Sequence, residues 1–295
     1  MNKLKLFAIL LGVLLVASFT SCTKDKDGVY SPKKKIQRVY ESTVDVNKFL
    51  TQVWNWKDNR LASVDYYSVN GGLSYTENFS YEGNRLVRVD DYNNSEYTTY
   101  EYDGNKLKSA SYFFKSSVEV STAYSYENKK LSKMTETIFD AKSSKGERHL
   151  LNSFLPFSTE VTEVMNKYAE KAIANNMEKE ILVINWQFTW TGDNITKIVG
   201  SAESEVITIT LQYDEKTNPL KGYLGLYSLD LQVSYQDGNV LYSKNNATRI
   251  MWTETDGDNE VVTFIYQYDK DDYPTMRITH VEENDVQYSI YYEYQ

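Results

Sequence analysis

The stretch "FSYEGNRLVRVDDY" (residues 79–92) is followed closely by "YEYDGNKLKSASYF" (residues 100–113). Both run aromatic, any residue, aromatic, then an acidic-Gly-Asn turn, a basic residue and Leu. With Tyr81 as the anchor, equivalent anchors stand at Trp56, Tyr102, Tyr126, Trp190, Tyr213, Tyr242 and Tyr268. Two residues before them lie Trp54, Phe79, Tyr100, Tyr124, Phe188, Leu211, Val240 and Tyr266. A separation of two puts both side chains on one face of a strand. The links "KDNR", "EGNR", "DGNK", "ENKK" and "TGDN" are turn chemistry, because Gly and Asn tolerate positive φ. Each unit therefore reads as a β-hairpin.

Past the turn, Leu61, Leu86, Leu107, Leu131 and Ile195 lie five residues beyond their anchors. Val64, Val89, Ala110, Met134 and Ile198 follow three further on. A step of three breaks the period of two, so either the first residue closes the turn or a bulge intervenes. "YDEKTNPL" and "YDKDDYPT" read as longer turns, with Pro219 and Pro274 in matching places. Anchor spacings of 21 to 29 residues, with one gap of 64 after Tyr126, suit a hairpin array with variable loops. The gap holds "STEVTEVMNKYAEKAIANN", whose Val161, Val164, Met165, Tyr168, Ala169 and Ala172 share one helical face. The expectation is all-β: about eight hairpins, curled or closed into a barrel-like antiparallel sheet, with one amphipathic helix inserted at about 158–178.

Composition agrees with a β reading. The 295-residue chain has 26 Tyr, four Pro and one Cys, and a formal charge of -9. Such acidity argues against nucleic acid as a partner, and the net charge does not favour adhesion to anionic lipid.

Residues 1–21, "MNKLKLFAILLGVLLVASFTS", read as a secretory signal peptide, and the only cysteine, Cys22, follows it directly. "ASFTSC" resembles the bacterial lipobox, although Phe19 replaces the commoner Leu. The resemblance implies acylation of Cys22 and a membrane partner through that anchor, since several acyl chains hold a protein durably. Residues 22–37 then read as the acylated Cys and a flexible tether, and 38–295 as a single β-repeat domain. Asp25 and Asp27 are similar to export signals of surface-exposed Bacteroidetes lipoproteins. Together with the tyrosine-rich hairpins and the "YDEKTNPL" turn, these features resemble a Bacteroidetes lipoprotein family, domain of unknown function 4595, which implies a porin-like fold. The hairpins are also similar to tyrosine-aspartate repeats. A membrane-spanning barrel is disfavoured, because Arg88, Asp90, Lys108, Glu136 and Lys197 interrupt any lipid-facing apolar band.

No catalytic constellation emerges. His149 and His280 are isolated, and the only thiol is assigned to lipid. The acidic stretches "DGDNE" (256–260) and "DKDD" (269–272) lack EF-hand spacing and fall where turns are needed, so no metal or cofactor is expected. Trp54, Trp56 and Trp190 occupy repeat positions and read as packing. Trp186 and Trp252 lie outside the aromatic columns and are the candidates for an exposed ligand platform. The functional expectation is a non-enzymatic, lipid-anchored outer-membrane lipoprotein, surface-exposed or facing the periplasm, that binds a glycan or an envelope protein. An envelope-structural role and a polysaccharide or peptide hydrolase are the alternatives.

Overall fold

The computed structural model describes residues 26–43, 47–90, 96–139, 181–203, 205–224, 242–254, 259–282 and 286–295. Sixteen strands follow one another around a barrel: β1 (Ile36–Thr43), β2 (Phe49–Lys57), β3 (Arg60–Tyr67), β4 (Leu73–Glu82), β5 (Arg85–Asp90), β6 (Glu96–Asp103), β7 (Lys106–Phe114) and β8 (Ser117–Glu127). The circuit continues with β9 (Lys130–Phe139), β10 (Ile181–Thr191), β11 (Asn194–Ala202), β12 (Glu205–Tyr213), β13 (Ala247–Glu254), β14 (Asn259–Tyr268), β15 (Pro274–Val281) and β16 (Val286–Tyr294). Each strand pairs antiparallel with its neighbours in sequence. β16 pairs with β1 from Ile36↔Tyr294 to Thr43↔Tyr288, which closes the barrel and leaves no sheet edge.

Two ends differ. At the turn end, two-residue links join β2–β3, β4–β5, β6–β7, β8–β9 and β10–β11. Both Asp58 and Asn59, and both Asn128 and Lys129, have positive φ, the pattern of a type I′ turn. In the turns carrying Gly83, Gly104 and Gly192, only the Gly is positive, as in type II′. The first residue of β1, the last of β16 and residues 214–224 and 242–246 between β12 and β13 lie at this same end. The connection 269–273 between β14 and β15 is also at the turn end, and the β3–β4 and β7–β8 links lie at the opposite end.

The step of three is a bulge. Asn55 pairs with Ser63 and Trp56 with Leu61, so Ala62 has no opposite number. The same shift leaves out Val87, Lys108, Ser132 and Thr196 in the next four hairpins. The extra residue turns both Leu61 and Val64 inward, where they are 1% and 0% exposed.

The fold expectation needs correction. The repeat is not eight hairpins with a helix inserted: among the described residues there is no helix, and 158–178 lie outside them. Each strand pairs both with the strand before and with the strand after in one closed sheet, so the hairpin is not a separate unit. Tyr242 lies in the connection between β12 and β13 and anchors no hairpin, and Val240 lies outside the described residues. The eighth turn-end pair is split between the termini. Tyr294 stands opposite Ile36, Gln37 is the bulged residue, and Val39 follows three after Ile36. Pro219 and Pro274 are not equivalent either, since Pro274 opens β15 opposite Tyr268 while Pro219 lies within the 214–246 connection.

Inside and outside have opposite chemistry. Inward positions include Ile36, Leu107, Met134, Ile184, Ile198, Ile207 and Ile250, all fully buried. Outward positions carry exposed Glu101, Lys108, Lys133, Gln187, Lys197, Gln212, Gln267 and Gln287, with Ser and Thr between them. A bilayer-spanning barrel needs an outward apolar band. Among the described residues the exposed wall positions are mainly charged or amide side chains, with Ile265 in β14 an exception at 64% exposure.

Candidate functional site

The turn end is held by a lattice that uses every residue type of the repeat. Between one hairpin and the next, strand pairing stops short of the turns. The β3–β4 ladder ends at Ser63↔Asn78, which leaves the Leu61 carbonyl to the Tyr81 hydroxyl, which donates to it at 2.8 Å. The same bond runs from Trp56 Nε1 to the Ile36 carbonyl at 2.8 Å and from Tyr102 to Leu86 at 2.6 Å. It recurs from Trp190 Nε1 to Leu131 and from Tyr213 to Ile195, both at 2.6 Å. Tyr266 and Tyr294 donate to Ala247 and Pro274 at 2.8 Å. The basic residue of each turn covers the next aromatic face: Arg60 over Tyr81, Arg85 over Tyr102, Lys106 over Tyr126 and Lys130 over Trp190.

The seam between β7 and β8 is different, because the N-terminal segment enters it. Tyr126 donates to the Asp27 carboxylate at 2.8 Å, and the Leu107 amide donates to the same oxygen at 2.9 Å. Lys106 adds an ion pair at 3.4 Å, and the Asp27 amide donates to the Asn105 carbonyl at 3.0 Å. Gly28 accepts from the Leu86 amide at 2.8 Å; its φ of +75° and the Tyr102 hydroxyl, 2.0 Å from where a Cβ would stand, leave room for Gly alone. Tyr30 is buried among Trp54, Trp56 and Tyr223 and donates to the Pro219 carbonyl at 2.8 Å. Lys34 pairs with Asp269 at 2.6 Å and Asp271 at 2.5 Å. Residues 26–35, expected as part of a flexible tether, are thus fastened across the turn end.

Among the described residues Glu77, Glu136 and Arg277 are fully buried ionisable side chains. Glu136 faces inward from β9, fully buried, and accepts from Trp186 Nε1 at 2.7 Å. Its Oε1 has no hydrogen-bond partner among the described residues, nor has the hydroxyl of Thr122 directly across on β8. Burial pushes the Glu136 carboxyl up from 4.5 to about 8, against the smaller lowering effect of the Trp186 bond. The carboxyl is therefore neutral at pH 7. A group with no exposure reaches no solvent-borne substrate.

Trp186 and Trp252 are 0% and 5% exposed and belong to the core, which corrects their expected role as an exposed platform. The sequence signal that accounts for Trp186 is Gly200, its partner in register on β11. A Cβ on Gly200 would stand 2.3 Å from the indole, so the missing side chain is the space the ring occupies. Cys22 and His149 lie outside the described residues. Of the "DKDD" acids, Asp269 accepts from the amides of Asp271 and Tyr273 and from Lys34, as a turn residue does. Among the described residues no group of His, Cys, Asp and Glu is placed to hold a metal ion.

The feature that sequence reasoning missed is at the other end. Val69, Leu73, Val118, Ile181, Val183 and Val206 are between 38% and 59% exposed, and all stand at or near the strand ends opposite the turn end. Half-buried Phe113 and Phe139 face outward beside Val118 and Ile181.

With this geometry described, the barrel is similar in fold to solved structures of porin-like proteins. Against a porin-like protein from Bacteroides vulgatus ATCC 8482 the TM-score is 0.50 at 11% identity, over 89% of this chain and 99% of that one. Against one from Bacteroides uniformis ATCC 8492 it is 0.49 at 10% identity, over 88% and 98%. No protein-family model matches the chain, and no curated protein matches it. The fold is porin-like. The chemistry of the wall is read from this chain's own residues.

Proposed function

We propose that the protein is a non-enzymatic lipoprotein of the outer membrane, anchored by acylated Cys22 and presenting its barrel to water as an interaction module. The observation that carries this reading is the polar outer wall, with exposed Glu101, Lys108, Lys133 and Lys197 on successive parts of the sheet. A wall of that kind has no place in hydrocarbon, so attachment to the envelope needs a separate device. The leader followed by Cys22 supplies one. The exposed aliphatic side chains at the far end provide apolar area for a partner. With Trp186 and Trp252 inside, sugar stacking loses its two candidates, and an envelope protein becomes the favoured partner over a glycan.

Peptide mass spectrometry of the membrane-extracted protein tests the anchor. The expected amino-terminal peptide begins at Cys22 and carries the mass of its acyl chains. A peptide beginning elsewhere, or an unmodified Cys22, contradicts the reading.

A further inference from the structure

We infer that the turn end of the barrel is its membrane-facing surface, held against the bilayer that carries the acyl chains. The inference rests on the proposed acylation of Cys22. Only four residues, 23–26, separate Cys22 from Asp27. At no more than about 3.6 Å per residue, Asp27 lies within about 18 Å of the anchoring residue. Asp27 is not free to lengthen that leash. Its side chain is 8% exposed and is bound by Leu107, Tyr126 and Lys106, and Gly28 is wedged against Tyr102 beside it.

The position of the dock decides which surface is near. Asp27 and Gly28 sit at the ends of β5, β7 and β8, level with the turns at Gly83 and Gly104. The opposite end stands a strand away, and strands of eight to eleven residues, the length of all but the six-residue β5, tilted as in barrels, span about 25 Å along the axis. An upright barrel therefore holds its turn end at the headgroups and its far end well clear of them.

Charge distinguishes this pose from one lying on its side. The turn-end segments 26–35, 57–60, 82–85, 103–106, 127–130, 191–194, 214–224, 242–246 and 269–273 carry fourteen Lys or Arg and eleven Asp or Glu. The described residues of the wall and far end carry nine Lys or Arg and fourteen Asp or Glu, so the acidic excess among the described residues is there. An anionic leaflet attracts the turn end and repels the wall and far end, within the ~8 Å over which such fields act at physiological salt. The partner of this surface is thus an anionic lipid headgroup layer. The exposed apolar residues at the far end are turned away from it, toward whatever the barrel meets.

The test uses the full acylated chain in vesicles of phosphatidylethanolamine and phosphatidylglycerol containing a headgroup-quencher lipid. One fluorophore is placed by Asn84→Cys at the turn end or by Val69→Cys at the far end, both exposed positions. Quenching several-fold stronger at position 84 than at position 69 is expected. Equal quenching, or stronger quenching at position 69, in protein whose acyl mass is confirmed overturns the orientation alone. Absence of the acyl mass overturns the anchor reading and the orientation with it. Asp27→Ala, with circular dichroism unchanged, is expected to narrow the difference; an unaltered difference overturns the role given to the dock.

Discussion

Glu136 shows how an acidic residue legible in the sequence can be wrongly placed in space and in charge. Among the acids and bases expected to interrupt a lipid-facing band, Lys108 and Lys197 do face outward, exposed. Glu136 faces inward, because the bulge at Ser132 resets the face of every residue after it on β9. Period-two counting from the turn without the bulge puts it on the wrong side. Its neutral carboxyl has a consequence for stability. The folded group titrates near 8 and the ordinary value is 4.5, so the native state holds the extra proton between those values. Stability from this group is fully present below about pH 4.5, falls as pH rises toward 8, and is level above that. Glu136→Gln removes the slope, which has a limit of about 1.4 kcal/mol per pH unit. Urea unfolding at pH 5 and pH 8 should show the variant gaining on the parent at the higher pH; a gap that does not change with pH contradicts the buried, neutral carboxyl.

At the scale of strands and turns, much was legible because the turn end repeats its chemistry. The aromatic columns, the Gly-Asn turns and the step of three each mark a real feature: inward faces, primed turns and bulges. Their purpose was less legible, since it lies between units. Tyr81 in one hairpin caps the Leu61 carbonyl of the previous one and is covered by its Arg60. A motif read within a hairpin cannot display a bond made to the next. The same limit produced the false anchor at Tyr242 and hid the split pair of Tyr294 with Ile36, whose halves are at opposite ends of the sequence. The lattice requires a donor, which Tyr and Trp have and Phe lacks. Burial holds the Tyr81 hydroxyl protonated by pushing it up to about 12, with Arg60 opposing the shift. Tyr81→Phe keeps the ring and loses the donor, so it should cost about 1 kcal/mol, seen as a lower urea midpoint at unchanged slope. An unchanged midpoint contradicts the seam-capping role.

For the whole molecule, closure and chemistry point in different directions, and the second decides function. A sixteen-strand closed sheet has the outline of a porin, yet its inward face is packed largely with aliphatic and aromatic residues around buried Glu77, Glu136 and Arg277. Its outward face carries exposed Lys, Glu and Gln with scattered aliphatic residues such as Ile265. Repeat counting predicted many strands; it could not choose the inside, because alternation alone is symmetric between the two faces. The candidate platform failed for the same reason, since a tryptophan outside the repeat columns is as free to face the core as the solvent. The proposed function requires a barrel that folds in water, with acylated Cys22 as the proposed tie to the envelope. The direct measurement is size-exclusion chromatography with circular dichroism on the chain from Thr23 onward, purified without detergent. The account predicts a β-rich monomer with cooperative thermal unfolding; a chain that aggregates in buffer and folds only in micelles would contradict it.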